Sequence, residues 1–344
     1  MGTVDGKPMR VLLTYQRWLY LLAGSLIGGT FFYFAARNID LDEALVLIYN
    51  IDAAWLLPFT VCWLLVLFLR GMRWRIMFPD DSRPRLRHAL DGVIIGKVAN
   101  NLIPARLGEV VRASVLGRLY PQVGLTGCFA TIVTEKTFDV LAILAMLGIA
   151  LFFAPLPDWI VAAGMWLVLV FSLLLSALWF IGRVELSEPA TPAQAANYVS
   201  RIKSTLHVVI QKFSLGLHSL RSLQHFSPCA FWTLLIWVLE AYTFFLLMQA
   251  FSIDAPYMAA VTALLFLCVG AMVPSAPGFI GTYQLFIVAG MHIYGVPETQ
   301  AFAFSLFMNL YAFIVPFLLT LVVVILDDGV INFRQILDSA SQKR

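Results

Sequence analysis

Long apolar runs separated by short polar segments set the pattern of this chain. Runs close to the about 17–25 residues that a helix needs to cross a bilayer core cover Trp18–Ala36, Ala53–Leu69, Ile160–Gly182, Cys229–Phe251 and Ala301–Leu326. A shorter run, Val140–Leu156, can span if Asp139 sits at the interface. The first run follows Lys7, Arg10 and Arg17, as the core of a signal peptide would. It is too long for that and has no small-x-small cleavage site, so it is read as a retained helix. The pattern predicts six spanning helices.

Composition agrees with this pattern. Of 344 residues, 60% are hydrophobic, 14% aromatic and only 12% charged, against about 25% charged in a soluble domain. A soluble enzyme, a disordered chain and a secreted disulfide scaffold are excluded. Cys62, Cys128, Cys229 and Cys268 are scattered through apolar runs without metal or redox spacing, so neither a metal nor a cofactor is expected.

The net charge of +3 matters less than its placement. Lys and Arg concentrate in the N-terminal segment, in Arg70–His88, in Arg183–Pro228 and after Asp327, while the alternate segments around Asp40, Pro155–Asp158 and Asp254–Pro256 hold only Arg37. By the positive-inside rule both termini are cytoplasmic, and a multi-pass protein of a bacterial inner membrane is expected.

Parity then isolates two stretches that enter and leave on one side: 89–136 from the cytoplasm and 257–297 from outside. Each reads as an apolar half-helix, a break and a second half. The first, GVIIGKVANNLIPARLGEVVRASVLGR, breaks at Pro104 and Gly108. The second, LLFLCVGAMVPSAPGFIGTYQLFIVAG, breaks at Pro274, Pro277, Gly278 and Gly281. Irregular backbone at membrane depth survives only when buried in protein or lining a wet cavity. Two interrupted segments in corresponding places of the two halves point to an inverted-repeat transporter. The plainer alternative is two hairpins of short helices that merely pack. The chain is thus read as a single transmembrane domain over 1–344, an all-α polytopic membrane protein with six spanning helices plus two re-entrant broken-helix pairs in an inverted-repeat arrangement.

Ionisable side chains inside a membrane cost about 2.5–3.5 kcal/mol each on insertion scales and usually face a partner or a cavity. Lys97, Arg106, Glu109 and Arg112 surround the first break, with Asn100 and Asn101 just before it, and Glu135, Lys136 and Asp139 follow. Arg106, Glu109 and Arg112 share a helix face, as do Glu135 and Asp139. Guanidinium forks suit phosphate, and carboxylates suit an amine or hydroxyls. Mutual neutralisation of these charges is the structural alternative. Glu240, alone in the middle of Cys229–Phe251, is either a proton-binding site or an ion-pair partner of an arginine of the first break. Asn309 and Gly24-x-x-x-Gly28 are read as packing contacts between helices.

Residues 183–228 are read as a cytoplasmic linker followed by an amphipathic helix, in which Tyr198, Ile202, Leu206, Val209, Phe213, Leu217 and Leu220 recur at helical spacing. No Walker A, GxSxG or HExxH motif occurs, so no catalytic residue is assigned and no enzyme is expected. The basic residues fit topology without nucleic acid.

NNLIPARLGEVVRASVLGR, TEKTFD at Thr134–Asp139 and PSAPGFIGTYQ at Pro274–Gln284 together resemble the lysylphosphatidylglycerol synthase transmembrane region, the flippase-like domain family. The resemblance covers nearly the whole chain. It implies translocation of a polar-headgroup phospholipid between leaflets, with Asn100, Asn101, Arg106, Glu109, Arg112, Glu135, Lys136 and Asp139 at the headgroup, and Pro104, Gly108, Pro274, Pro277, Gly278 and Gly281 as gating breaks. The family often carries Gly-Gly and a Glu where this chain has Phe279 and Gln284. Bifunctional members append an aminoacyl transferase domain. This chain is read as a stand-alone member, for which lysine transfer is not expected. The expected partners are membrane lipids with anionic or zwitterionic headgroups, and the reading leaves room for a homo-oligomer or association with a lipid-synthesis enzyme. Other classes are an ion-coupled transporter of a small polar solute and a lipid-modifying membrane enzyme.

Overall fold

The computed structural model describes residues 25–102, 107–153, 157–183, 223–273 and 276–325. Every regular element among them is helical. The helices are α1 (Ser25–Ala36), α2 (Leu41–Tyr49), α3 (Ala53–Ile76), α4 (Leu86–Leu102), α5 (Gly108–Leu119), α6 (Gly124–Phe153), α7 (Asp158–Arg183), α8 (Leu223–Ala250), α9 (Tyr257–Gly270), α10 (Thr282–His292) and α11 (Glu298–Ile325).

Four of these are long and apolar enough to cross a membrane: Ala53–Ile76, Gly124–Phe153, Gln224–Ala250 and Glu298–Ile325. Shorter apolar helices are Ser25–Ala36, Asp158–Leu173 (the first part of α7) and Tyr257–Gly270. The start of the first predicted span, the 184–222 linker with its amphipathic helix, and the C-terminal tail lie outside the described residues. Large apolar side chains face outward along the long helices, among them Leu57, Phe152, Trp166, Val238 and Ile325. Such a continuous apolar surface suits lipid, not water.

Two helix boundaries differ from the sequence reading, for physical reasons. The run read as ending at Leu69 continues as helix to Ile76, carrying Arg70, Arg73 and Arg75 with it. Buried partners for the first two arginines make that continuation favourable. The run read as Val140–Leu156 begins at Gly124 and forms one 30-residue helix. Its threonines do not interrupt it, because their hydroxyls bond carbonyls one turn back: Thr131 to Cys128, Thr134 to Ala130 and Thr137 to Val133. Glu135 and Asp139 therefore lie midway along α6, not at its end. A third addition is α2, whose start is capped by the Asp40 carboxylate accepting from Asp42 N and Glu43 N, and which packs on α11.

Both interrupted stretches fold back on themselves as antiparallel hairpins. In α4–α5, Gly96 meets Gly108 and Arg112; in α9–α10, Gly290 meets the backbone of Ala263. At about 1.5 Å per residue, the 12-residue α5, 14-residue α9 and 11-residue α10 each fall well short of the roughly 30 Å hydrocarbon core. α3 and α8 pair closely in the interior, α6 packs on α5, α8 and α9, and α11 touches α4, α10 and the turn Pro277–Phe279. The second turn is built from left-handed backbone: Gly278, Phe279 and Gly281 have φ of 72°, 59° and 85°. Phe279 adopts, as an aromatic residue, a conformation that glycine takes freely, at a position where the resembling family often has glycine. Gln284 takes up a backbone donor at this turn, its Oε1 accepting from Gly281 N at 2.7 Å.

Candidate functional site

A chain of buried charges crosses the interior between α3, α5, α6 and α8. Arg73 is fully buried. Its guanidinium donates to Asp139 Oδ1 at 2.7 Å and to Thr233 Oγ1 at 3.0 Å, and lies 3.1 Å from Glu135 Oε1. Trp237 Nε1 donates to the same Asp139 oxygen at 3.1 Å. Glu135 is held on its other side by Arg112, fork to fork, at 3.3 and 2.7 Å. The Arg112 guanidinium stacks on Trp74, 3.7 Å from the ring centroid, and Trp74 is itself anchored through Nε1 to Thr131 Oγ1 at 3.0 Å. Glu135 and Asp139, at i and i+4 of α6, thus share Arg73, and the buried carboxylates and guanidiniums pair with one another, although Arg73 Nε and Nη2 and Arg112 Nε make no hydrogen bond among the described residues.

The network opens at one edge. Glu109 lies 3.6 Å from Arg112 and 3.2 Å from Lys136 Nζ, and Lys136 lies 3.9 Å from Asp139. The Lys136 side chain is half-exposed, at 51%, whereas Arg73, Arg112, Glu135 and Asp139 are buried. Glu240 pairs with Arg70 at 2.9 Å. Its partner therefore comes from α3, not from the first break as one sequence alternative had it. Lys97 places its ammonium 5.5 Å from the Trp63 ring centroid and makes no ion pair among the described residues.

The two asparagines before the first break have backbone duties. Asn100 Oδ1 accepts from Gly108 N at 2.8 Å, satisfying a free donor at the start of α5. A side chain on Gly108 would run into this amide and into the Gly96 carbonyl. Asn101 Nδ2 donates to Ala312 O at 3.1 Å. Pro316 lies four residues on within α11 and has no N–H to bond that carbonyl, so Asn101 fills the gap a proline leaves. Asn309 Nδ2 donates to Gly278 O at 2.7 Å. Asn101 and Asn309 thus bring both interrupted stretches to one turn of α11, at residues 309–312, the middle of that 28-residue helix. Asn101→Leu is expected to cost about 1–3 kcal/mol by orphaning the Ala312 carbonyl. Thermal unfolding in detergent would check it, and the loss should shrink in a Pro316→Ala background, where the helix supplies its own donor.

Pro104, Arg106 and Pro274 lie outside the described residues. Of the other predicted site residues, Glu109, Arg112, Glu135, Lys136 and Asp139 converge in one network, Asn100 and Asn101 serve the break, and Glu240 sits in the adjacent Arg70 pair. Gly28 packs against Ala276 and Ile280 of the second turn, while Gly24 is not described. Arg73, the hub, and Arg70 were missed because both were counted among cytoplasmic charges. The available signal was stoichiometric: the mid-helix carboxylates needed cations, and Arg70 and Arg73, three apart, share one face of a continuing helix. Among the described residues no group of three or more His, Cys, Asp or Glu is placed to hold a metal ion.

Comparison with known proteins identifies the family. The family model of the lysylphosphatidylglycerol synthase TM region matches residues 21–320, and the chain belongs to that family of membrane proteins. A UPF0104 membrane protein of Methanothermobacter thermautotrophicus is 26% identical over 285 residues, covering 76% of this chain and 82% of the relative. A second UPF0104 membrane protein of that organism is 21% identical over 258 residues, covering 72% and 76%. The glycosyltransferase AglD of Haloferax volcanii is 26% identical over 136 residues, 39% of this chain and 22% of AglD. No solved structure matches the chain.

Proposed function

On the premise of that family membership, we propose that this protein moves a polar-headgroup phospholipid between membrane leaflets. The headgroup crosses along the open edge of the charged network while the acyl tails stay in the bilayer. In this reading six helices span, with both termini cytoplasmic in a bacterial inner membrane, and α4–α5 and α9–α10 enter from opposite faces as re-entrant pairs.

The observation that carries the proposal is the convergence at α11. The end of α4, just before the first break, and the second turn are tied by Asn101 and Asn309 to the centre of a helix long enough to span. Exposed polar backbone at that depth needs a wet or protein-lined surround. Beside the first stretch, Arg73, Arg112, Glu135 and Asp139 hold a buried frame, and Glu109 and Lys136 present both signs at its edge. A zwitterionic or anionic headgroup finds complementary charge there without any buried pair having to break. The short helices of both hairpins support the re-entrant arrangement over full crossings.

One observation favours a second reading of the substrate. The relative in Haloferax volcanii is named a glycosyltransferase, so a sugar-bearing lipid, its hydroxyls held by Glu109, is the alternative headgroup.

The test is leaflet exchange of a fluorescent phospholipid in liposomes containing the purified protein. Glu109→Gln and Lys136→Gln, both at the exposed edge, are expected to slow exchange about tenfold while leaving thermal stability within about 1 kcal/mol, as for surface pairs. Protein-free rates in wild-type liposomes would remove translocation of that lipid, and unchanged rates in both variants would remove the assigned edge.

A further inference from the structure

Among the described residues the charges around the site do not balance. Five cations (Arg70, Arg73, Lys97, Arg112 and Lys136) face four carboxylates (Glu109, Glu135, Asp139 and Glu240), and each carboxylate lies within ion-pair distance of at least one of the other four cations. Lys97 is left over. It lies within the electrostatic reach of Arg70, Glu240, Lys136 and Glu109, yet among the described residues its ammonium makes no ion pair and sits over the face of Trp63. A cation–π contact offsets part of an ammonium's desolvation but leaves N–H donors without acceptors.

The position is as informative as the surplus. Lys97 precedes Asn101 by one turn of α4, and Asn101 bonds Ala312 where the two turns meet. Trp63 stands edge-on to Tyr311, the residue before Ala312, at 5.5 Å between centroids. The ammonium is therefore beside the convergence point, with its side chain partly exposed.

We infer that Lys97 is the phosphate-contacting cation of this site, and that its ligand is a singly charged phosphodiester. The ammonium donates to the phosphate oxygens, and one negative charge brings the cluster to neutrality. Arg112 and Arg73, by contrast, are already ion-paired with Glu135 and Asp139. The inference deepens the translocation proposal and rests on it for the ligand's lipid tails, but the contact itself is testable apart from transport.

The measurement is equilibrium binding in neutral detergent, followed by tryptophan fluorescence. The probes are dioctanoyl phosphatidylglycerol, the uncharged dioctanoylglycerol and the tailless glycerophosphoglycerol. Lys97→Met is expected to weaken phosphatidylglycerol binding tenfold or more, the scale of one charge-assisted hydrogen bond. Lys97→Arg should retain binding within about threefold, and dioctanoylglycerol should bind all three proteins alike. The melting temperature of Lys97→Met should not fall, since the ammonium has no ion-pair partner among the described residues and a thioether also packs well on the Trp63 ring. Phosphatidylglycerol binding to Lys97→Met at wild-type affinity overturns the inference, as does a lower melting temperature with binding intact.

Glycerophosphoglycerol separates the sources. Competition with the lipid at equal concentration makes the ligand a soluble phosphodiester, and no competition makes it a lipid headgroup; either outcome keeps the Lys97 contact. Lys97-dependent binding without leaflet exchange removes translocation and keeps the contact. Exchange that Lys97→Met leaves unchanged, with binding also unchanged, removes the contact and keeps translocation.

Discussion

Replacing Arg73 by methionine is expected to unfold the centre of this protein, not merely to slow it. The guanidinium is fully buried and serves Asp139, Glu135 and Thr233 at once. Without it Asp139 keeps the Trp237 indole donor and a lysine 3.9 Å away, and Glu135 keeps Arg112. Breaking a buried pair by removing one partner typically costs about 3–5 kcal/mol, because the remaining charge is stranded. Adding Asp139→Asn to Arg73→Met should restore more than half of that loss by removing the stranded carboxylate. The coupling would be read from a double-mutant cycle of thermal unfolding in detergent. Lys136→Ala, at the half-exposed edge, serves as the contrast and should change stability by no more than about 1 kcal/mol. A single Arg73→Met variant as stable as Lys136→Ala would mean that the charges are not a structural frame, and the division between dry centre and open edge would fail.

That division explains which parts of the site were legible in the sequence. Breaks, apolar runs and out-of-place charges are local signals, and they marked the stretches that hold α4, α5, α9 and α10, while the carboxylates read as preceding a helix lie in the middle of α6. The partners of those carboxylates are not local. Arg73 and Asp139 are 66 residues apart, Arg73 and Thr233 are 160, and Arg70 and Glu240 are 170. A hydropathy profile sees arginines at the end of an apolar run and closes the helix before them, although the tertiary partner makes their burial affordable. The start of α6 was hidden in the same way, since Glu135, Lys136 and Asp139 make the apolar run begin at Val140, and the threonines before them add polarity. They look like a polar boundary until their hydroxyls are seen to be bonded within the helix. Asn100 and Asn101 carried the opposite error: amides beside a break invite a ligand, whereas here each repairs a backbone group that the break or Pro316 leaves open. For the charges the side-chain contacts show mutual pairing, the structural alternative of the sequence reading, and for the amides they show bonds to backbone.

The second large effect is expected at Gly281. Its φ of 85° is in the left-handed region, and a Cβ there would strike the Gly28 carbonyl oxygen and approach Phe32 N within 2.8 Å. Both obstacles are backbone of α1, so no side chain can swing aside. Gly281→Ala should combine about 1–2 kcal/mol of conformational strain with about 1–3 kcal/mol of overpacking, and push α1 off the second turn. Gly295 isolates the first term. It too is left-handed, at 73°, but nothing lies within 4 Å of its would-be Cβ, so Gly295→Ala should pay strain alone. On α1 the same logic separates neighbours. Gly28→Ala meets the Ile280 carbonyl at 2.8 Å, while Gly29→Ala meets nothing and should stabilise slightly as a better helix former. Thermal unfolding of the four variants then orders them, with Gly281→Ala lowest, Gly28→Ala and Gly295→Ala between, and Gly29→Ala at or above wild type. If Gly281→Ala costs no more than Gly295→Ala, α1 is not wedged against the second turn. The turn would then be free of the first helix, and any gating role for Gly281 would have to rest on its backbone freedom alone.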